Sequence, residues 1–344
     1  MTSRHDSAPL LVIDDLHVEF DTGGSTVEAV SGVDLEIRAG ETVAVVGESG
    51  SGKSVTAMAV LQLLGNGRIS GGSVTWDGTD ITHASNKKLR SIRGNDIAVV
   101  FQDPMTSLDP LYSIGNQLSE ALRLHQRMSR KQARERAIEL LGMVGIPDPA
   151  HKVDAYPHQL SGGQRQRVMI AGALACTPRL MIADEPTTAL DVTVEAQVLN
   201  LMRDLQRETG VALMLITHDM GVVGEMADRV VVFYAGYVVE SGLADDVLNH
   251  PQHPYTQALL TAIPRRDTPR DEPMPAIPGT VPGLHEMPAG CRFITRCPYA
   301  AERCSEPQEI VRLEVAGKQR DVRCWRADPA HRTSATIESE LEVL

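Results

Sequence analysis

"ETVAVVGESGSGKSVTAMAV", Glu41 to Val60, is the stretch that decides the fold. Its opening is a short β-branched run bounded by glycine, which reads as a buried strand. Gly47, Glu48, Ser49, Gly50, Ser51, Gly52, Lys53 and Ser54 then fit G-x-x-x-x-G-K-[ST]. Glycines let a backbone curl so that several N–H groups face phosphate oxygens. "KSVTAMAVLQLLG" has helical spacing and stops at Gly65, so the loop opens a helix. That helix adds the positive end of its dipole. In this reading Lys53 neutralises β- and γ-phosphates and Ser54 offers its hydroxyl to Mg²⁺.

A second stretch supplies the acids. "RLMIADEP", Arg179 to Pro186, is an apolar strand ending in Asp184 and Glu185. A carboxylate at a strand's C-terminal end can hold Mg²⁺ through water, and one beside it can deprotonate an attacking water. "DIAVVFQ" and "VALMLITHD" read as further buried strands, and Ile114 to Gly145 as two or more helices. Continuous apolar strands alternating with helices predict a largely parallel sheet covered on both faces. Together these motifs specify a nucleoside-triphosphate hydrolase or kinase.

Composition sets outer limits. With 344 residues the chain predicts one large domain plus an appendage. Aromatic residues make up 3%, so the core is expected to be mostly aliphatic. A net charge of -12 argues against broad nucleic-acid binding, which needs a basic face. No signal peptide is visible, and no apolar run approaches the ~18–20 residues that span a bilayer. The expected location is cytosolic, or on a membrane through a partner.

"LSGGQRQRV", Leu160 to Val168, narrows the class. Gly162 and Gly163 expose backbone N–H groups, Ser161 can cap the following helix, and Gln164 lies in its first turn. The stretch resembles the signature motif of ATP-binding-cassette (ABC) ATPases. That resemblance implies a head-to-tail dimer in which each subunit's signature covers the ATP on its partner's phosphate loop. Gln102 in "VFQDP" matches the Q-loop, whose glutamine reaches the metal and the attacking water. Asp191 in "TTALD" matches the D-loop, and His218 in "LITHD" the switch histidine that touches the γ-phosphate. Phe20 in "LHVEF" matches an aromatic that stacks on adenine, with a place in the core as the alternative. The resemblance runs over about residues 10–250 with every motif intact. It implies an α/β P-loop NTPase core with a parallel sheet, an antiparallel β subdomain and a helical subdomain. Glu185 is then the base, with Lys53, Mg²⁺, His218 and the opposite Ser161 stabilising charge.

The resemblance also divides the chain. It implies a nucleotide-binding domain over 1–250 with its helical subdomain at about 103–165. A proline-rich arm over 251–290, a cysteine module over 291–328 and a tail over 329–344 follow. "HPQHPYTQALLTAIP", "PGTVPGL" and "GCRFITRCPYAAERC" resemble the C-terminal region of oligopeptide and dipeptide importer ATPases. This implies an ATPase subunit peripheral to the cytoplasmic face of the inner membrane. Its partners would be a sister ATPase, two permease subunits and an extracytoplasmic substrate-binding protein, with no nucleic acid. Nickel or glutathione importers are alternatives, as is a soluble iron–sulfur ATPase in remodelling or redox sensing.

Cys291, Cys297, Cys304 and Cys324 lack the close pair usual at structural zinc sites. Four thiolates suffice for a [4Fe–4S] cluster, and the resembled family includes members with one there. The expectation is a cluster that staples the module, with Zn²⁺, or free or disulfide-bonded thiols, as alternatives. Cys176 is expected to be a buried small hydrophobe.

Overall fold

The structure, a computed structural model, describes residues 8–188, 190–263, 276–283, 285–315 and 318–331. The chain divides into two compact units. The first comprises Met1–Val12, Glu36–Val43 and Ser73–Thr217, and the second Ile13–Leu35, Ala44–Gly72 and His218–Leu344.

In chain order come β1 (Leu11–Asp21), β2 (Thr26–Ile37), β3 (Thr42–Val46), α1 (Lys53–Val60), β4 (Gly67–Trp76), β5 (Thr79–Asp80), α2 (Asn86–Ile92) and β6 (Ile97–Val100). Next are α3 (Pro104–Ser107), α4 (Ile114–His125), α5 (Arg130–Met143), α6 (Pro149–Lys152) and α7 (Gly162–Leu174). Then follow β7 (Leu180–Asp184), α8 (Val192–Thr209), β8 (Ala212–Ile216), α9 (Met220–Met226), β9 (Arg229–Tyr234) and β10 (Tyr237–Leu243). The last are α10 (Ala244–Asn249), α11 (Pro254–Thr261), β11 (Val311–Val315) and β12 (Lys318–Val322).

In the first unit β6, β7 and β8 are parallel neighbours, with Ile97 opposite Leu180 and Leu180 opposite Ala212. Every residue of β7 and β8 is buried, as expected of strands covered on both faces. The helices around them start where polar caps allow. Ser113 caps α4, whose Ile114, Leu118 and Leu122 form one buried stripe. Ser129 and Gln132 close a capping box on α5, whose Ala133, Ala137, Leu140 and Leu141 face inward. α4 packs on α5, and both pack on α7.

The second unit is antiparallel in its C-terminal part. β9 and β10 form a hairpin through Ala235 and Gly236 at φ 48° and 86°, the two-residue turn that suits strand twist. β12 pairs with β10, placing Val322 opposite Glu240, and β11 pairs with β12. The core of this unit is mostly aliphatic, as composition predicts, around an aromatic centre. Tyr234, Tyr255 and Phe293 are fully buried there, with ring centroids 4.6 to 5.4 Å apart. Each ring fills space that several aliphatic side chains would otherwise take. Beside it Glu240, with no exposed surface, pairs with Arg320.

Two local readings differ from the sequence. α1 ends at Val60, not Gly65, because Gln62 adopts φ 51° and the Leu63 N–H bonds back to the Met58 carbonyl at 2.9 Å. That left-handed closure ends a helix without glycine. α11 lies within the stretch read as an extended arm, started by the His253 side chain, which accepts from Tyr255 N. The tail read over 329–344 lies, beyond His331, outside the described residues.

Candidate functional site

The phosphate loop belongs to the second unit. Gly47, Gly50 and Gly52 have φ of 145°, 74° and 101°. A β-carbon on Gly47 would stand 2.1 Å from the Phe233 carbonyl oxygen, so only glycine lets the loop come this close to β9. Gly236 N donates to Ser51 O at 2.9 Å and seats the loop on the β9–β10 turn. Lys53 is buried, and its Nζ donates to Gly47 O at 2.8 Å and Glu48 O at 2.9 Å. The curl is thus held around its own ammonium. Ser49 and Gly50 are exposed at the loop tip, and Ser54 is exposed in the first turn of α1. Exposed backbone at a helix start, a buried ammonium and an accessible hydroxyl fit a triphosphate and its Mg²⁺ ion.

Glu48 is held at its N–H, its carbonyl and its carboxylate. Its N–H donates to the Tyr255 hydroxyl at 2.9 Å and its carbonyl accepts from Lys53. Its carboxylate is forked by Arg296, at 2.6 and 2.9 Å. Sequence reading missed Tyr255 and Arg296, which lie 207 and 248 positions away.

The strand-end acids belong to the first unit. Asp184 is buried at the end of β7, opposite Ile216. Glu185 leaves the strand at φ 45°, a left-handed conformation costing a non-glycine residue about 1–2 kcal/mol. Its N–H is anchored on Ile216 O at 2.9 Å. Such strain gathers at functional positions. Gln102 Nε2 and Thr188 Oγ1 both donate to Glu185 Oε2, at 2.9 and 2.8 Å. The structure therefore brings Gln102 and Glu185 together. Thr188 was not anticipated, since a threonine three residues on carries no distinguishing signal.

The signature forms the cap expected of it. Ser161 Oγ accepts from Gln164 N at 3.3 Å and Gln164 Oε1 accepts from Ser161 N at 3.2 Å. Gly163 is required by packing, because a β-carbon there would lie 2.5 Å from Val194 Cγ1. Asp191 caps α8, accepting from Thr193 N and Val194 N. In the second unit His218 is exposed, directly before Asp219, which caps α9. Phe20 is half-buried on Gly67, whose added β-carbon would meet the ring at 2.7 Å.

Comparison with known proteins fits this geometry. Residues 30–188 match the family described as ABC transporter. Residues 239–304 match the C-terminal region of oligopeptide/dipeptide transporters. A dipeptide transport ATP-binding protein of Bacillus subtilis is 47% identical over 323 residues, 93% of this chain and 95% of that protein. The chain belongs to the ABC transporter family. A second dipeptide transport ATP-binding protein, from Escherichia coli, is 47% identical over 90% of this ABC chain and 95% of its own length. Among solved structures, a dimeric ATP-binding cassette bound to ADP and Pi is similar. It has TM-score 0.62 and 31% identity, covering 68% of this chain and 98% of that one.

The cysteines of this ABC chain do not form the expected metal site. Cys291, Cys297, Cys304 and Cys324 are near enough that Cys324 senses the other three electrostatically, and none is in a disulfide. Yet among the described residues no three His, Cys, Asp or Glu side chains are grouped to hold a metal. Cys304 Sγ instead accepts from Trp325 Nε1 at 3.3 Å, and Cys291 and Cys297 pack on the aromatic cluster. Burial pushes Cys291 up to about 11 and Cys324 up to about 12. This arrangement of the described residues gives no support to a [4Fe–4S] cluster or to Zn²⁺. Cys176 is buried, as expected.

Proposed function

We propose that the chain is the ATP-hydrolysing subunit of a peptide importer. The match of residues 239–304 to the oligopeptide/dipeptide C-terminal region carries this reading. It favours peptide cargo over nickel or glutathione, and transport over a soluble remodelling or redox-sensing role.

In this mechanism the phosphate loop and Lys53 bind the β- and γ-phosphates of ATP. Ser54, Asp184 and Gln102 would hold Mg²⁺, which when bound offsets phosphate charge. Glu185 takes the proton of the attacking water, oriented by Gln102 and Thr188. His218 and Ser161 of a sister subunit stabilise charge spreading over the γ-phosphate in an in-line displacement. Phe20 supports the adenine, and Asp191 sets the start of α8 at the subunit junction. ATP closes the dimer and hydrolysis reopens it, a two-state cycle that permease subunits read.

Among the described residues no helix is long and apolar enough to cross a membrane. We place the chain at the cytoplasmic membrane face through its permease partners. A substrate-binding protein on the far side would deliver the peptide. Exposed Phe101, Leu111, Tyr112 and Leu124 offer apolar surface for the permease contact.

Glu185→Gln tests the reading. The variant is expected to bind Mg-ATP as the parent does and to lose ATP turnover by at least about a hundredfold. In vesicles carrying both permeases it should abolish dipeptide uptake. Undiminished hydrolysis would remove Glu185 as the base. Dipeptide uptake with the parent chain no different from that of vesicles lacking it would remove the cargo.

A further inference from the structure

The phosphate loop contains a carboxylate, Glu48, although a nucleoside triphosphate is a polyanion. Left uncompensated, Glu48 would repel phosphate at short range. Arg296 answers that charge with both terminal nitrogens, at 2.6 and 2.9 Å. The pair is not an ordinary surface contact. Arg296 has only 4% of its side chain exposed, against 26% for Glu48. Its Nε donates to Pro278 O at 2.9 Å, and one terminal nitrogen lies 3.4 Å from the Tyr234 hydroxyl. The arginine is therefore fixed by its own surroundings before it meets Glu48, and little side-chain entropy opposes the pairing.

The segment carrying Arg296 is itself anchored in the core. Ile294 N bonds to Cys291 O and Arg296 N to Phe293 O, both at 3.0 Å, making consecutive turns from Cys291. Phe293 plugs the space beside Tyr234 and Tyr255. Arg292 donates to Ala235 O and lies 3.7 Å over the Tyr237 ring, bracing the turn whose Gly236 N holds Ser51. Arg292, Arg296 and Tyr255 thus hold the loop from one side.

We propose that Arg296 is the built-in counter-charge of Glu48, through which the four-cysteine region sets the phosphate loop's affinity for nucleotide. The proposal rests on reading Gly47–Ser54 as the loop that binds ATP. Arg296 acts through Glu48 and is a positioning residue.

The test is Mg-ATP binding by the full chain, read by calorimetry, in Arg296→Gln, Glu48→Gln, the double variant and Lys53→Ala. Arg296→Gln should raise the Kd about tenfold. Glu48→Gln, which removes the carboxylate itself, should raise the Kd less than Arg296→Gln does, by about threefold at most. The double variant should bind about as well as Glu48→Gln, so that the second substitution rescues the first. A purely structural arginine would show no such rescue. Parent-like affinity in Arg296→Gln, or a double variant no better than it, overturns the proposal. If Arg296→Gln does not fold, a folded double variant of near-parent affinity supports the proposal, and a second failure to fold overturns it. Lys53→Ala separates the two readings. Lost binding there upholds the phosphate loop, whereas retained binding overturns that assignment and this proposal with it.

Discussion

Gln102 donates to Glu185 at 2.9 Å, sharing one carboxylate oxygen with Thr188. A neutral amide there holds the carboxylate oxygen without adding charge. Gln102→Glu would set a second carboxylate against it, and like charges repel at this distance. Steady-state ATP hydrolysis is expected to fall by at least about tenfold. Undiminished turnover in that variant would detach Gln102 from the base.

Gly47 and Gly50 both hold left-handed φ, but only Gly47 is crowded. A β-carbon meets the Phe233 carbonyl at 2.1 Å at Gly47 and nothing within 4 Å at Gly50. Gly47→Ala is expected to cost about 3 kcal/mol and to abolish Mg-ATP binding, whereas Gly50→Ala costs about 1 kcal/mol. Urea denaturation with parallel ATP titration distinguishes them, and equal losses would show that crowding is not the cause.

Glu240 has no exposed surface and accepts from Arg320, from Gln252 N at 2.8 Å and from His253 N at 3.0 Å. Arg320→Met would leave that carboxylate buried without its cation. A loss of about 3–5 kcal/mol is expected in denaturant unfolding, with a smaller loss when Glu240→Gln is added. Independent, additive losses would argue against a coupled pair.

His253 is buried in the second unit, and burial pulls its pKa down to about 3, with a hydrogen bond to the Arg323 backbone opposing. The folded ring thus stays neutral while the unfolded one protonates below its ordinary value of 6.5. The unfolded state then binds the extra proton, so this group lowers stability as pH falls from 6.5 towards 3. Its contribution to the slope approaches about 1.4 kcal/mol per pH unit. His253→Asn, which can still cap α11, should flatten the dependence in urea melts between pH 7 and 5. A slope unchanged by the substitution would exclude the histidine as its source.

Much of the ATP-binding apparatus was legible because its signals are local. Gly47 to Ser54 encode a curled loop by composition alone, and the all-buried β7 announces itself as an apolar run ending in acids. Ser161 stands directly before the helix it caps, so that cap could be read from the sequence. The helix after the loop was read too long, since Gln62 takes a left-handed conformation that no propensity assigns to glutamine.

By itself the sequence determined the local motifs of this protein: a glycine loop with its lysine, a strand-end acid pair, and a second glycine-rich, serine-capped helix start. Those depend on backbone geometry within a few residues, which composition dictates. Only the tertiary structure decided what the C-terminal cysteines and arginines do. Cys291 and Cys297 pack on the aromatic cluster, Cys304 and Cys324 are buried, and Arg296 meets Glu48 across 248 positions. Pairings of that kind are set by how distant segments share a core and by which charges burial forces together. No periodicity or spacing along the chain records either.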